Sequence, residues 1–399
     1  MREIIPASNG YEEGLEAGKK VADGWQPSRL TLLDKWREAA TEAPNICGAG
    51  KGDLREILAN LETWNREDVL DYAADFHRRR VDAFPDLKMF PELQGMDQYE
   101  DEYPRGYAAG ADIDVREVHL ERQSTEMFLM ALGKGRRSPF NCSECYIPNT
   151  PNGPMLGLGR DDIAGWYTDD PLGVSWPALV EQQKKITGPP EADPDFGICV
   201  TNGGGAMYEF EQDRDEAVFP VPVLTMVQNL CTTTEEAVEM LSRYNDYWGP
   251  CNCVVGDAQG NGALFEKSKY QYSLRTAKDE PLTSTYGGCD DEEMRRLCDT
   301  ENLLFKYYER RVSVMREILA EGEANGGIDG EVFWKAMLNH DEHGAGCQHR
   351  ETMPTGVELF THVAYYVLPA EKRIFRRAIA RDNGRVLYPC EVPVVEIRT

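Results

Sequence analysis

The stretch Phe140-Asn-Cys142-Ser-Glu-Cys145-Tyr-Ile-Pro-Asn-Thr-Pro151-Asn-Gly153-Pro-Met-Leu-Gly157-Leu-Gly-Arg-Asp161-Asp162 decides how this chain reads. Two short apolar runs, Cys142 to Ile147 and Gly153 to Leu158, flank a turn rich in Pro, Asn and Gly. That is the pattern of a β-hairpin. It begins on a cysteine and returns with paired aspartates nineteen and twenty positions later. A thiolate is a strong nucleophile near neutral pH, and a carboxylate on the return strand suits the holding of a cation beside it.

Working outward, the sequence changes texture at this hairpin. Upstream, Tyr11–Asp23, Leu30–Glu42, Asp53–Leu61 and a segment from Asn65 to Phe84 have helical periodicity, with Asn65 as an N-cap. Val115–Leu132 continues it after Gly106-Tyr-Ala-Ala-Gly-Ala. A basic loop, Gly133–Pro139, then leads into the hairpin. Downstream, Phe196–Thr201, Asn252–Gly256, Ala263–Glu266, Leu359–Leu368 and Phe375–Ala380 read as strands, and Asp257–Gly262 as a turn. Thr234–Tyr244 and Glu301–Glu321 read as helices. This gives an α+β chain with a mainly helical section, residues 1–141, ahead of a core, residues 142–399.

Composition narrows the function. The net charge of −26 repels nucleic acid and anionic membrane surfaces, so neither is expected as a partner. No run approaches the ~18 apolar residues of a membrane span, and the first residues lack a secretory pattern, so a soluble, cytoplasmic protein is expected. Eleven scattered cysteines without such a leader do not read as a disulfide framework.

In order and spacing, several segments resemble the isopenicillin-N acyltransferase family of cysteine N-terminal-nucleophile (Ntn) hydrolases. These are Cys142-Ser143, the turn Pro151-Asn-Gly153, and Gly157-Leu-Gly-Arg-Asp161. Further segments are Gly106 to Asp114, Val118 to Glu126, Phe196 to Asn202, Pro250-Cys-Asn252 to Asp257 with Gly260 and Glu266, Met337 to His340, Cys347 to His349, and Leu359 to His362. The resemblance implies a four-layer αββα sandwich and a precursor cut before Cys142. The α-amino group so freed, with a reference pKa of about 7.7–8.0, would serve as the base. It further implies that Asp161 holds that ammonium, and that Asn252 and Asn202 donate to the oxyanion. The implied reaction is acyl transfer through a thioester on Cys142, from a small amide or acyl-coenzyme A, to water or an amine. No metal or redox cofactor is implied, and a homo-oligomer is compatible with the sequence.

Three positions differ from the family pattern. Asn141 stands where Gly is usual before the nucleophile, which slows or blocks the cut. Gly159 replaces an Asn, and Thr283-Ser-Thr-Tyr286-Gly replaces a His-Thr-Asn-His run. A catalytically silent scaffold of the same fold is the competing reading.

Other assignments compete locally. Cys145 is a rival nucleophile and Asp162 a rival carboxylate; Asn202, ahead of Gly203-Gly-Gly, also suits a plain turn. Cys142, Cys145, Cys251 and Cys253 offer four thiolates in a poor spacing for zinc. Cys142-x-x-Cys145 lacks the strand-to-helix context of a redox pair. His340, His343, Cys347 and His349 form a second metal-like cluster, but Gly344-Ala-Gly346 breaks a shared helix face, which favours a polar loop cluster.

Overall fold

The computed structural model describes residues 9–24, 65–82, 96–120, 142–163, 192–193, 198–202, 227, 230–245, 251–268, 271–277, 280–285, 290–298, 300–301, 303–349, 351–352, 358–382 and 385–398. The expected helices Leu30–Glu42 and Asp53–Leu61, the loop Gly133–Pro139, Asn141 and Tyr286 lie outside them. The chain divides into two compact units. One comprises Glu3–Gly135 with Asp213–Val218; the other comprises Met1–Arg2, Arg136–Gln212 and Phe219–Thr399.

In the first unit, α1 (Gly10–Val21) starts at Asn9, whose side chain accepts from the Glu12 amide. α2 (Arg66–Asp82) starts at Asn65 as the sequence indicates: its Oδ1 accepts from the amides of Glu67 and Asp68 at 2.8 and 3.2 Å. α3 (Met96–Ala111) packs on α1 with the two backbones touching. A Cβ on Gly14 would stand 2.2 Å from the Tyr103 carbonyl, and one on Gly106 1.9 Å from that of Tyr11. Gly106-Tyr-Ala-Ala-Gly-Ala therefore has a packing role here.

The second unit holds the sheets. Its strands are β1 (Ser143–Ile147), β2 (Met155–Ile163), β3 (Ala192–Asp193), β4 (Ile198–Asn202), β5 (Cys251–Asp257), β6 (Gly262–Lys267), β7 (Tyr272–Ala277) and β8 (Leu282–Thr285). Then follow β9 (Glu351–Thr352), β10 (Glu358–Leu368), β11 (Arg373–Ala378), β12 (Ala380–Asp382), β13 (Arg385–Leu387) and β14 (Val395–Arg398). A seven-stranded antiparallel sheet runs β14-β11-β10-β2-β1-β8, with β9 also on β10. A five-stranded antiparallel sheet runs β3-β4-β5-β6-β7, and β12 pairs with β13 alone. Among helices, α4 (Thr234–Arg243) lies against β5 and β6. The short α5 (Glu292–Arg295) precedes α6 (Leu303–Ala324) and α7 (Gly330–Met337).

Alternation along β1 and β2 sends successive side chains to opposite faces. Tyr146, Leu156 and Leu158 join Val254 and Leu264 of the five-stranded sheet in one core, so the two sheets stack face to face. Cys145, Ile147 and Met155 join Met315 and Leu319 of α6 and Phe333 and Met337 of α7, which cover the other face. The chain is thus α+β with antiparallel sheets. Sequence periodicity anticipates β1, β2, β5, β6 and β10; the strand expected at Phe375–Ala380 ends at Ala378, and β12 begins at Ala380.

A glycine notch sets the inter-sheet distance. Gly256 and Gly262 pair across β5 and β6, and the Tyr146 ring fills the space above both. A Cβ on Gly262 would come within 2.1 Å of that ring. We expect Gly262→Ala to lower unfolding free energy by about 1–3 kcal/mol, the usual cost of overpacking. A urea midpoint unchanged from wild type would show that the sheets move apart without penalty.

Candidate functional site

Cys142 directly precedes β1, the strand between β2 and β8. Its side chain is 4 % exposed and belongs to the inter-sheet core with Tyr146, Leu158 and Val254. Cys145 lies on the opposite, helix-covered face. Burial, reinforced by the Glu144 carboxylate, pushes the Cys145 thiol up to about 12. That burial disfavours its thiolate form. Since the two cysteines face opposite ways, they do not form one zinc site with Cys253.

The hairpin register fixes which face the candidate carboxylate takes. Ser143 pairs with Gly159, so continuing one residue sets Arg160 beside Cys142 and Asp161 on the helix-covered face. There Asp161, 1 % exposed, accepts from Arg311 Nη1 of α6 at 2.7 Å and from the Thr361 hydroxyl of β10. Arg311 is fully buried; its Nε donates to the Ala345 carbonyl at 2.6 Å and its Nη2 to that of Gly346 at 3.0 Å. Burial pushes the Asp161 carboxyl up against the pull of Arg311 and Thr361. In the uncut chain Asp161 is thus part of a buried ion pair. Strand periodicity turns its side chain to the face opposite that of the Cys142 side chain. The side chain of Asp162 lies outside the described residues.

Sequence reading passed over Arg160, the neighbour that shares the Cys142 face. The register that sets it beside the cysteine, with Ser143 opposite Gly159, comes from the fold and not from the hairpin sequence.

Asn252 reaches this region from the other sheet. It is 1 % exposed on β5, and its Nδ2 donates to Ser284 Oγ at 2.8 Å and to the Thr285 carbonyl at 2.7 Å. Ser284 and Thr285 pair with Glu144 and Ser143. Asn252 therefore pins β5 to the strand neighbouring β1, and both its amide hydrogens are engaged there. Asn202 ends β4 and pairs with Cys253, one position from Asn252; its side chain lies outside the described residues.

The remaining acidic residues of the resemblance serve the scaffold. Asp257 Oδ1 accepts from the amides of Gln259 and Asn261 at 3.0 Å each, closing the turn, and Oδ2 accepts from the Thr234 amide at 3.0 Å, starting α4. Glu266 accepts from the amides of Asp290 and Asp291 at 3.0 and 3.3 Å, and burial pushes its carboxyl up.

No family model matches the chain, and no curated protein matches it. Among solved structures, a variant of conjugated bile acid hydrolase from Clostridium perfringens is similar at 10 % identity and a TM-score of 0.36, over 65 % of this chain and 89 % of that one. Penicillin V acylase from Agrobacterium tumefaciens is similar at 14 % identity and a TM-score of 0.35, over 62 % and 85 %. Among the described residues no helix is long and apolar enough to cross a membrane.

Proposed function

We propose that the chain is a cysteine amide hydrolase of the Ntn type, with Cys142 as nucleophile and the α/β/β/α layering of that class. The observation that carries this reading is the placement of Cys142. It stands at the head of a central strand, turned into the space between two sheets, with Arg160 beside it and Asn252 facing from across. The Cys142 sulfur attacks the carbonyl carbon, the C–N bond breaks as the amine leaves with a proton, and water hydrolyses the thioester. With an amine in place of water, the same intermediate gives acyl transfer.

In the uncut chain the Cys142 nitrogen is a peptide amide and has no basicity near neutral pH. We therefore infer that the Asn141–Cys142 bond is cut, which turns that nitrogen into an amine able to take the thiol proton. The 4 % exposure of Cys142 supports the same step, since a substrate needs access to the sulfur. Asn252 then supplies an oxyanion donor by giving up Ser284 or Thr285, with Asn202 as second donor through its backbone. Asp161 acts at one remove, fixing β2 behind the nucleophile. The substrate is a small-molecule amide or acyl thioester, not nucleic acid or a membrane surface, and the setting is the cytoplasm.

An acylating amide-type probe tests the reading: peptide mapping should find the acyl group on Cys142, and label on another cysteine or none would overturn it. Arg160, a cation on the same face, favours the thiolate. Arg160→Gln should raise the apparent pKa for alkylation of Cys142 in the cut protein by about one unit. An unchanged profile removes Arg160 from the site.

One observation favours the silent-scaffold reading. Both amide hydrogens of Asn252 are committed to β8, which is a structural pin rather than a waiting oxyanion donor. Turnover of any amide that Cys142→Ala abolishes would exclude it.

A further inference from the structure

We propose that His340, Cys347, His349 and Cys390 bind a Zn²⁺ ion in a tetrahedral two-nitrogen, two-sulfur site, structural in role and separate from Cys142. One ligand atom from each of the four lies within 4.8 Å of all the others. His340 Nε2 and His349 Nε2 stand 3.3 Å apart, and His349 Nε2 stands 3.0 Å from Cys390 Sγ. With Zn–N of about 2.0–2.1 Å and Zn–S of about 2.3 Å, a tetrahedron needs N–N edges of roughly 3.3 Å and N–S edges of roughly 3.5 Å. The nitrogens already have that spacing, and the Cys390 sulfur needs to move out by roughly half an ångström.

Polar contacts link the four, and one ring nitrogen among them is shared by two partners. A ring nitrogen carries either one N–H or one lone pair, so it can serve one partner well. Yet His349 Nε2 has both His340 Nε2 and Cys390 Sγ at bonding range. A cation at the centre accepts a lone pair from each donor and resolves the conflict. Two thiolates with two imidazoles in a tetrahedral arrangement select Zn²⁺ among common divalent ions.

The surrounding chain holds the ligands in place. The Asn339 carbonyl accepts from the amides of Gly346 and Cys347 at 3.0 Å each, and its side chain accepts from Asp341 and Gly346 at 3.2 Å each, shaping the loop after α7. The His349 ring stacks on Tyr388 at 4.1 Å and 8°, and meets His340 edge-on at 88°. His343, read from sequence as a member of the cluster, instead sits exposed beside Glu342. The fourth ligand, Cys390, comes from the turn before β14. The metal would thus clasp that turn to the loop whose Ala345 and Gly346 carbonyls hold Arg311.

Metal analysis and Co²⁺ substitution of the full-length protein test the proposal, with no dependence on activity. Wild type equilibrated with Zn²⁺ and dialysed should retain one ion per chain. Its Co²⁺ form should show thiolate charge-transfer absorption and the intense visible bands of a tetrahedral site. His340→Ala, at an exposed position, and Cys390→Ser should each lose the bound ion and that spectrum, while His343→Ala keeps both. Zn²⁺ should raise the melting temperature of wild type but not of Cys390→Ser. Wild type that retains no more metal than Cys390→Ser, a Co²⁺ spectrum without thiolate bands, or a Cys347–Cys390 disulfide in freshly isolated protein would each overturn the assignment.

Discussion

Asp161→Asn should lower the stability of the sheet unit by about 3–5 kcal/mol, the scale on which a buried ion pair fails when one partner is neutralised. The isosteric amide fills the same space but removes the carboxylate charge facing the Arg311 guanidinium, which is 0 % exposed and also donates to the Ala345 and Gly346 carbonyls. Water cannot reach it to compensate. Exposed Arg310 is the internal contrast: it pairs with Asp341 at 2.9 Å and Glu317 at 3.1 Å on the next residue of the same helix. Arg310→Gln should cost no more than about 1 kcal/mol, since solvent screens that pair. Urea denaturation of the two variants checks the difference. Replacing both members of the buried pair by apolar residues should recover most of the loss. If Asp161→Asn instead keeps wild-type stability and loses only activity, the carboxylate belongs to the Cys142 amine after all.

That contrast marks where the sequence was legible and where it was not. The β1–β2 hairpin, the Asn65 cap and the Asp257 turn depend on neighbours within a few positions, and local chemistry reveals them. The choice of face for Asp161 hinges on a single-residue shift in strand register, and its partner Arg311 lies 150 positions away. No local pattern links the two. Cys390 is likewise 41 positions from His349, so the four-ligand cluster forms only once β10, β11 and the last turn have folded back. β8 overlaps Thr283-Ser-Thr-Tyr286-Gly, which the sequence presents only as a departure from the family's His-Thr-Asn-His run. Its four residues are buried because β1 pairs on one side and Arg316 and Asn252 bond to it.

Cys142→Ala should remove turnover almost completely, by roughly 10⁶-fold, the scale on which catalysis fails when a nucleophile is deleted. The fold should survive with a loss of about 1 kcal/mol, because a small thiol gives way to a methyl group at the edge of a core. The same substitution should also prevent cutting of the precursor, since in the proposed mechanism one sulfur carries out both reactions. Cys145→Ala should leave both reactions intact, because its thiol faces α6 and α7. Intact-mass spectrometry of active wild-type protein tests these connected claims most directly. The account requires two fragments, the second beginning at Cys142 and gaining one acyl group when substrate is added. A single uncut chain from Met1 that turns substrate over at full rate would contradict it.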